Sequence, residues 1–314
     1  MMFALLLAAL PMIFWDQGPE TAATLKQNGI EQLVVPAERL QEWKATGLAA
    51  RGITPAEWSG LEEASAPGVD RQVQVASATR SPYLIANGWR FIRNPAAKYR
   101  YSLPVGKAAL AAAESYAFGA DATLQVERGD LESVGKMLVF LRGISATALP
   151  GVADIAVVDN QHPLAGEVMN LLARRNLLFV ATPAADPKYP INIRIGSKEY
   201  PEEEAANPSA FALKIRRELT DERRSVRIYG SETVLCRLTG DKGQLRLHLL
   251  NYRGGKVDGL RIRLRGAFLK GQARGDQIGE IPLQSFSVAN GATEFTIPAM
   301  NLYAVVDLQR EKSK

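Results

Sequence analysis

The spacing of apolar residues divides the chain into two styles. Up to about residue 222, short apolar runs alternate with segments in which apolar positions recur every three or four residues, the periods of buried strands and amphipathic helices. MIFW is followed by Asp16, Gly18 and Pro19. A proline suits a first helical turn because the N–H it lacks would be unpaired there. ETAATLKQN then reads as a helix closed by Gly29, and IEQLVVP as the next strand, giving a β-α-β unit. AERLQEWKATGLAARGITPAEWSGLEEASAPG holds two short helix candidates, and VQVASA reads as a strand. RSPYLIANGWRFIRNPAAKYRYSLP, rich in aromatics, Arg, Asn and Pro, reads as a long irregular insertion of the kind that carries binding loops, or as a hairpin packed on the domain.

Regular alternation then resumes. GKAALAAAESYAF is a helix ended by Gly119, ATLQVE a strand, and Asp130 the cap of a helix presenting Leu131, Val134, Leu138 and Leu141 on one side. DIAVVD, a helix opened by Pro163, LLFVAT and INIRI follow, and Asn207 and Pro208 start a helix with Phe211, Ile215 and Leu219 on one face. From Ser225 the period shortens to two. SVRIYG, TVLCRL, QLRLHLLNY, GLRIRLRG, IPLQSFSV, TEFTIP and LYAVVDL are strands separated by GDKG, RGG and NG turns, which predicts an antiparallel β-sandwich.

Parallel strands need crossover helices, so the earlier region predicts an α/β architecture with a mostly parallel sheet. A (β/α)8 barrel-like domain, intact or degenerate, is the first expectation and an open doubly wound sheet the alternative. The expected division is a short export signal at 1–10, the β/α barrel-like domain at 11–222 and the β-sandwich domain at 223–314. The apolar run from Met1 to Trp15 is broken by Pro11 and too short for an integral membrane span. No Lys or Arg precedes Lys26 and no Ala-x-Ala pattern follows, so two compartments stay open: periplasmic or secreted behind a short signal, or cytoplasmic.

Hydrophobic residues make up 46% of the chain and charged ones 23%, which fits a globular protein with a large core. The net charge of +5 comes from cations interleaved with acids. Even the densest group, Arg216, Arg217, Arg223 and Arg224, sits among Glu218, Asp221 and Glu222, a solvated helix face instead of a phosphate track, so no nucleic-acid partner is expected. Cys236 is the single cysteine, which excludes an intramolecular disulfide and a cysteine zinc cluster, and TVLCRL marks it as a core residue. His162 and His248 give no metal-site spacing, and the latter falls on a sandwich strand. Gly-x-Gly-x-x-Gly, P-loop and Gly-x-Ser-x-Gly patterns are absent, so no cofactor is expected and a serine hydrolase, kinase or NAD enzyme is disfavoured.

Apolar strands ending in acids, the segment DIAVVDNQHPLAGEVMNLLARRNLLFV and a terminal sandwich beginning near RLTGDKGQLRLHLLNY together resemble bacterial glycoside-hydrolase-related proteins. The resemblance covers most of the chain in layout, though the Asn-Glu-Pro signature of many barrel glycosidases is missing. It implies a carbohydrate substrate or ligand. Glycoside hydrolysis needs two carboxyls about 5 to 9.5 Å apart, and in a barrel they belong at the C-terminal ends of strands. Asp16 after MIFW, Glu127 after ATLQV and Asp159 after DIAVV meet that rule as catalytic candidates, although each is also a common residue at a strand end or helix start. For substrate binding, Trp15, Tyr83, Trp89 and Tyr101 offer aromatic platforms, and Arg80, Asn87 and Arg90 directional hydrogen bonds. His162 offers a donor or a proton shuttle, or serves as a loop residue before a helix. Two function classes follow: a glycosidase working through two of the three carboxylates, and a non-catalytic glycan-binding or structural relative.

Overall fold

Runs such as MIF, QLVVP and IAVV become strands because they are short, rich in branched or aromatic residues and closed by turn-forming sequence. The computed structural model describes residues 10–70, 83–145, 147 and 149–310. The chain divides into two compact units, Met1–Gly68 with Asn94–Ala148 and Val69–Arg93 with Leu149–Lys314.

The first unit runs β1 (Met12–Phe14), α1 (Ala22–Gln27), β2 (Gln32–Pro36), α2 (Leu40–Trp43), β3 (Ala49–Ile53), α3 (Pro55–Ser59) and β4 (Glu62–Ala64). Next come β5 (Gly68–Asp70), β6 (Tyr83–Ile85) and α4 (Gly88–Arg93). The first unit then continues with β7 (Lys98–Ser102), α5 (Ala108–Phe118), β8 (Asp121–Gln125) and α6 (Leu131–Arg142). Six of these strands form one sheet in the order β3-β2-β1-β8-β7-β4, and its ladders are parallel. The order is cyclic, since the first strand of the unit lies against its last. A doubly wound sheet of order 3-2-1-4-5-6 would instead set the first strand against the fourth. Among the described residues no ladder joins β3 to β4, so the sheet is mixed with helices and barrel-ordered, but without a hydrogen-bonded closure.

Register assigns the two faces. Ile13 pairs with Leu33 and Leu124, and Leu124 with Tyr101, so these four share a face, and all are fully buried. Helix α5, largely alanine and buried along nearly its whole length, belongs to this side, where Tyr101 donates a 2.8 Å hydrogen bond to the buried Glu114 carboxylate. Phe14, Gln125 and Arg100 occupy the opposite face and are only half-buried. Asp130 holds the N-cap position of α6 but makes no side-chain capping bond; its carboxylate accepts from the amides of Gly106 and Ala108 (2.8 and 3.3 Å) and so ties the β8–α6 turn to the start of α5.

Two readings of this region need correction. The supposed irregular insertion contains β6, α4 and β7, and β7 is an interior strand of the sheet. Tyr99 and Tyr101 are buried while Lys98 and Ser102 are exposed, a period of two that the aromatic and basic content masks. AARGI, between the two helix candidates, is β3. VQVASA lies outside the described residues.

The second unit contains β9 (Ile155–Val158), α7 (Pro163–Arg174), β10 (Phe179–Thr182), β11 (Ile191–Ile193), α8 (Glu202–Ala205) and α9 (Pro208–Arg223). Its parallel sheet, β10-β9-β11, packs with Val168, Leu172, Phe211 and Ile215 of α7 and α9. The chain then forms β12 (Val226–Tyr229), β13 (Val234–Gly240), β14 (Gln244–Asn251), β15 (Val257–Arg265), β16 (Phe268–Gly275), β17 (Gly279–Ile281), β18 (Gln284–Ala289), β19 (Ala292–Met300) and β20 (Tyr303–Arg310). Antiparallel sheets β12-β15-β19-β18 and β13-β14-β20-β16-β17 enclose one core containing Leu247, Leu249, Ile262, Leu264, Phe295 and Val306. The sequence pattern misses β16 because Gly271 interrupts it: the strand shifts register there, and a Cβ would lie 1.8 Å from the Asp307 carbonyl. Cys236 is a core residue as expected, its thiol pushed up to about 12 by burial. His248 is buried with Nδ1 2.5 Å from the Tyr303 hydroxyl, and burial holds the imidazole neutral, its pKa pushed down to about 3. No described helix is long and apolar enough to cross a membrane.

Helix α6 meets the end of α1 at Gly135, where an added Cβ would sit 1.8 Å from the Asn28 carbonyl oxygen. Gly→Ala inside a helix ordinarily stabilises by about 1 kcal/mol. Here the sign should invert, and Gly135→Ala should lower the unfolding free energy by about 1–3 kcal/mol through overpacking, read as a lower urea midpoint at unchanged slope.

Candidate functional site

The first unit builds a site where β1 and β8 end. Their register, Met12 with Thr123 and Phe14 with Gln125, carries a constant offset. Continuing it sets Asp16 beside Glu127 and Gln17 beside Arg128. Arg128 Nε donates to Gln17 Oε1 at 2.5 Å, so the segments following the two strands stay in contact. Neighbouring strands lie about 4.8 Å apart, and each acid follows its strand by two residues at the same C-terminal edge. Both are exposed.

Neither carboxylate caps a helix. Gly18 holds the N-cap position of the 3-10 turn Pro19–Thr21, and Glu127, although it precedes the turn Arg128–Asp130, makes no side-chain capping bond. The backbone at Asp16 is braced from outside: its carbonyl accepts from Arg39 Nη1 at 2.6 Å, and Glu42 holds the same guanidinium at 3.1 Å.

One pleat back along β1, on the same face as Asp16, lies Phe14. Its ring stands 4.4 Å from that of Trp58, and the Arg100 guanidinium lies 5.6 Å over the indole. Glu63, paired across the sheet with Arg100, holds that guanidinium at 3.1 Å. A half-buried stack of Phe14 on Trp58, with Arg100 and its partner Glu63, thus lies on the face of the sheet that Asp16 follows. Trp58, Phe14, Arg100 and Glu63 are absent from the expected list. The alternation in KYRYS signals that Arg100 faces away from the buried tyrosines, but strand adjacency, which brings it to Trp58, has no local signal.

Asp159 belongs to the second unit and is committed elsewhere. Arg93 grips it in bidentate fashion, Nε to Oδ2 at 2.7 Å and Nη2 to Oδ1 at 3.0 Å, and the Gln161 amide donates to Oδ1 at 3.0 Å. Burial raises its pKa, but the Arg93 hydrogen bonds, the Gln161 amide and the Arg93 charge outweigh burial and hold the carboxyl below its ordinary range. Such a group remains an anion with both oxygens occupied. His162 is the N-cap of α7, its Nδ1 accepting from the Leu164 amide at 3.2 Å and its Nε2 lying 3.4 Å from Glu202.

The expected sugar contacts fare unevenly. Trp15 is 1% exposed and donates its indole N–H to Thr21 Oγ1 at 2.9 Å, so it fastens the turn after β1 and has no ring face for a ligand. Tyr101 is sealed under α5. Asn87 is also buried, at the start of α4, where its carbonyl accepts from the Arg90 amide. Trp89 packs its ring edge on α7 at Gly166, where a Cβ would be 3.1 Å away, and Arg90 lies over the ring at 4.8 Å. Tyr83 stays open at 48% exposure with Arg174 stacked 4.4 Å from its ring. Arg80 lies outside the described residues. Among the described residues, no group of three or more His, Cys, Asp or Glu is arranged to hold a metal ion.

No family model and no curated protein matches the chain. Solved structures do. An alpha-L-fucosidase, isoenzyme 2 from Paenibacillus thiaminolyticus, superposes with a TM-score of 0.55 at 10% identity, covering 88% of this chain and 71% of that one. A rhamnosidase from Novosphingobium sp. PP1Y gives a TM-score of 0.43 at 9% identity over 94% of this chain and 38% of that one. A beta-galactosidase from G. stearothermophilus gives 0.39 at 9% identity over 95% and 60%. The likeness to glycoside hydrolases expected from the sequence is found at the level of fold in the fucosidase superposition.

Proposed function

We propose that the protein is a carbohydrate-active enzyme of the glycoside-hydrolase kind, with Asp16 and Glu127 as its paired carboxylates. The observation that supports this reading is the parallel pairing of β1 with β8, each strand ending two residues before one of the two acids, neither of which makes a side-chain helix-capping bond. In such chemistry one carboxyl protonates the leaving oxygen while the other attacks the anomeric carbon or activates water, with separations near 5 Å favouring retention and wider ones inversion. Adjacent strands favour the narrow spacing. Phe14 and Trp58 supply a floor for the apolar face of a sugar ring, and Arg100 a set of donors along its rim. The cyclic strand order agrees with a degenerate barrel, in which this edge is the usual place for a site. In this reading Asp159 is an anchor for α4.

One observation favours the alternative, a non-catalytic glycan-binding relative: both carboxylates are exposed, whereas a general acid working near neutrality usually depends on burial to keep its proton. A panel of aryl glycosides separates the two readings. Asp16→Asn and Glu127→Gln should each lower kcat by about 100-fold or more, and Trp58→Ala should mainly raise KM. Absence of turnover across the panel, together with glycan binding that Trp58→Ala abolishes, would establish the binding protein instead.

Asp159→Asn should leave turnover intact while lowering stability, because Arg93 loses its partner. A carboxyl whose folded pKa is depressed contributes stability above its unfolded pKa and loses it as pH falls through the folded one. The stability gap between wild type and Asp159→Asn should therefore be full at neutral pH and close on acidification below about pH 4. A gap that persists at pH 2 would assign the effect to packing instead of charge.

A further inference from the structure

At one end of the sandwich, wholly within the second unit, the structure holds a cavity of about 290 Å³. Val152, Leu238, Leu245 and Phe268 form its apolar wall, and the last three are core residues no more than 4% exposed, so the wall is rigid. Two guanidinium groups stand at the cavity. Arg310 lies 5.3 Å over the Phe268 ring, its backbone fixed by a 2.9 Å bond to the Gly243 carbonyl, and among the described residues it is not paired with a carboxylate. Arg265 is 3.5 Å from Asp154, but that buried carboxylate is already engaged by the Ser225 amide and hydroxyl at 2.8 and 2.6 Å, and the Arg265 side chain remains 49% exposed. Arg265 Nη2 donates to Ser225 Oγ at 3.3 Å and faces Asp154, so that pair aims the guanidinium through one of its three nitrogens.

Asp241 also stands at the wall as an exposed carboxylate, its Oδ1 held to its own turn by the Gly243 and Gln244 amides at 2.7 and 2.9 Å. The rim is glycine backbone. Gly266 has φ +120°, and a Cβ there would lie 3.1 Å from the Phe268 ring and 3.7 Å from Arg310 Nη1, so a side chain would crowd the space between wall and cation.

We propose that this cavity is a binding site for a small organic carboxylate with an apolar body, its carboxylate on Arg310 and Arg265 and its body against Phe268 and Leu245. The size is at the small end for ligand sites, which suits a molecule of one ring. Charge-assisted bonds from planar guanidinium groups recognise a carboxylate specifically. The site is independent of Asp16 and Glu127, so the glycosidase reading can fail without touching it.

Fluorine NMR of 4-fluorobenzoate titrated into the full chain tests the proposal, with benzyl alcohol and inorganic sulfate as probes lacking charge or body. Saturable fluorobenzoate binding is expected, weakened about ten-fold or more by Arg310→Gln and less by Arg310→Lys, with both control probes weaker than fluorobenzoate. Arg310 is exposed, so neither substitution should unfold the chain, and an unchanged melting temperature confirms it. Absence of saturable binding, equal affinity in Arg310→Gln, or sulfate binding as well as fluorobenzoate overturns the assignment.

Discussion

The pairing of β1 with β8 is the constraint on which the first unit depends. Met12–Phe14 and Thr123–Gln125 are far apart in sequence, and closing a loop of that length carries an entropic cost that local contacts cannot offset. The compensation comes from burial. Ile13, Leu124, Leu33 and Tyr101 are removed from water on one face, and α5, with its buried alanines, packs against β8 and receives the Tyr101 hydroxyl. Because parallel pairing fixes register, the same contacts that close the unit also decide which residues leave its edge together. The pairing that joins Ile13 to Leu124 also brings the strand ends that precede Asp16 and Glu127 to one edge.

Three acids of the second unit are handled in the opposite way to Asp16 and Glu127. Asp159 is spent on Arg93, Asp154 on Ser225 and Asp276 on the Tyr303 amide, each a carboxylate taken from water and repaid in hydrogen bonds. Asp154 and Asp276 have pKa values raised by burial, partly offset by those bonds, while Asp159 ends below its ordinary range because its partner is a bidentate guanidinium. A strand-end acid is therefore not one kind of residue. Its availability depends on whether a cation from a neighbouring element reaches it first.

This explains what the chain discloses before folding. Period-two alternation announces most of the sandwich, and strand-helix alternation most of the parallel elements, because both depend on nearest neighbours along the sequence. Gly29, Gly119, Pro163 and Asn207 mark helix ends for similarly local reasons. β7 and β16 escape because their cues conflict: arginine and tyrosine in a region that reads as a loop, and Gly271 at a bulge. The site is half legible. Asp16 and Glu127 can be named from strand ends, but their adjacency, the bracing by Arg39 and the Phe14–Trp58 floor are long-range facts set by strand order. Trp15 shows the reverse error. Standing next to Asp16, it looks like a platform, yet alternation along β1 turns it with Ile13 into the buried face, while Phe14 shares the open one.

That alternation also bears on what a ligand does at the edge. Phe14 and Arg100 lie on the half-covered face of the sheet, so under the proposed function a sugar ring seated against Phe14 and Trp58 would displace solvent on the side of the sheet that Asp16 follows. Removing that water strengthens every charge interaction within reach and makes the two carboxylates unequal, since the one nearer the covered floor loses more solvent. Inequality between neighbouring carboxyls is what an acid and nucleophile division of labour requires. Under the proposed function, the Phe14–Trp58 stack is therefore part of the chemistry and not an adjunct to it, because it would decide where the ligand sits and hence which acid is desolvated.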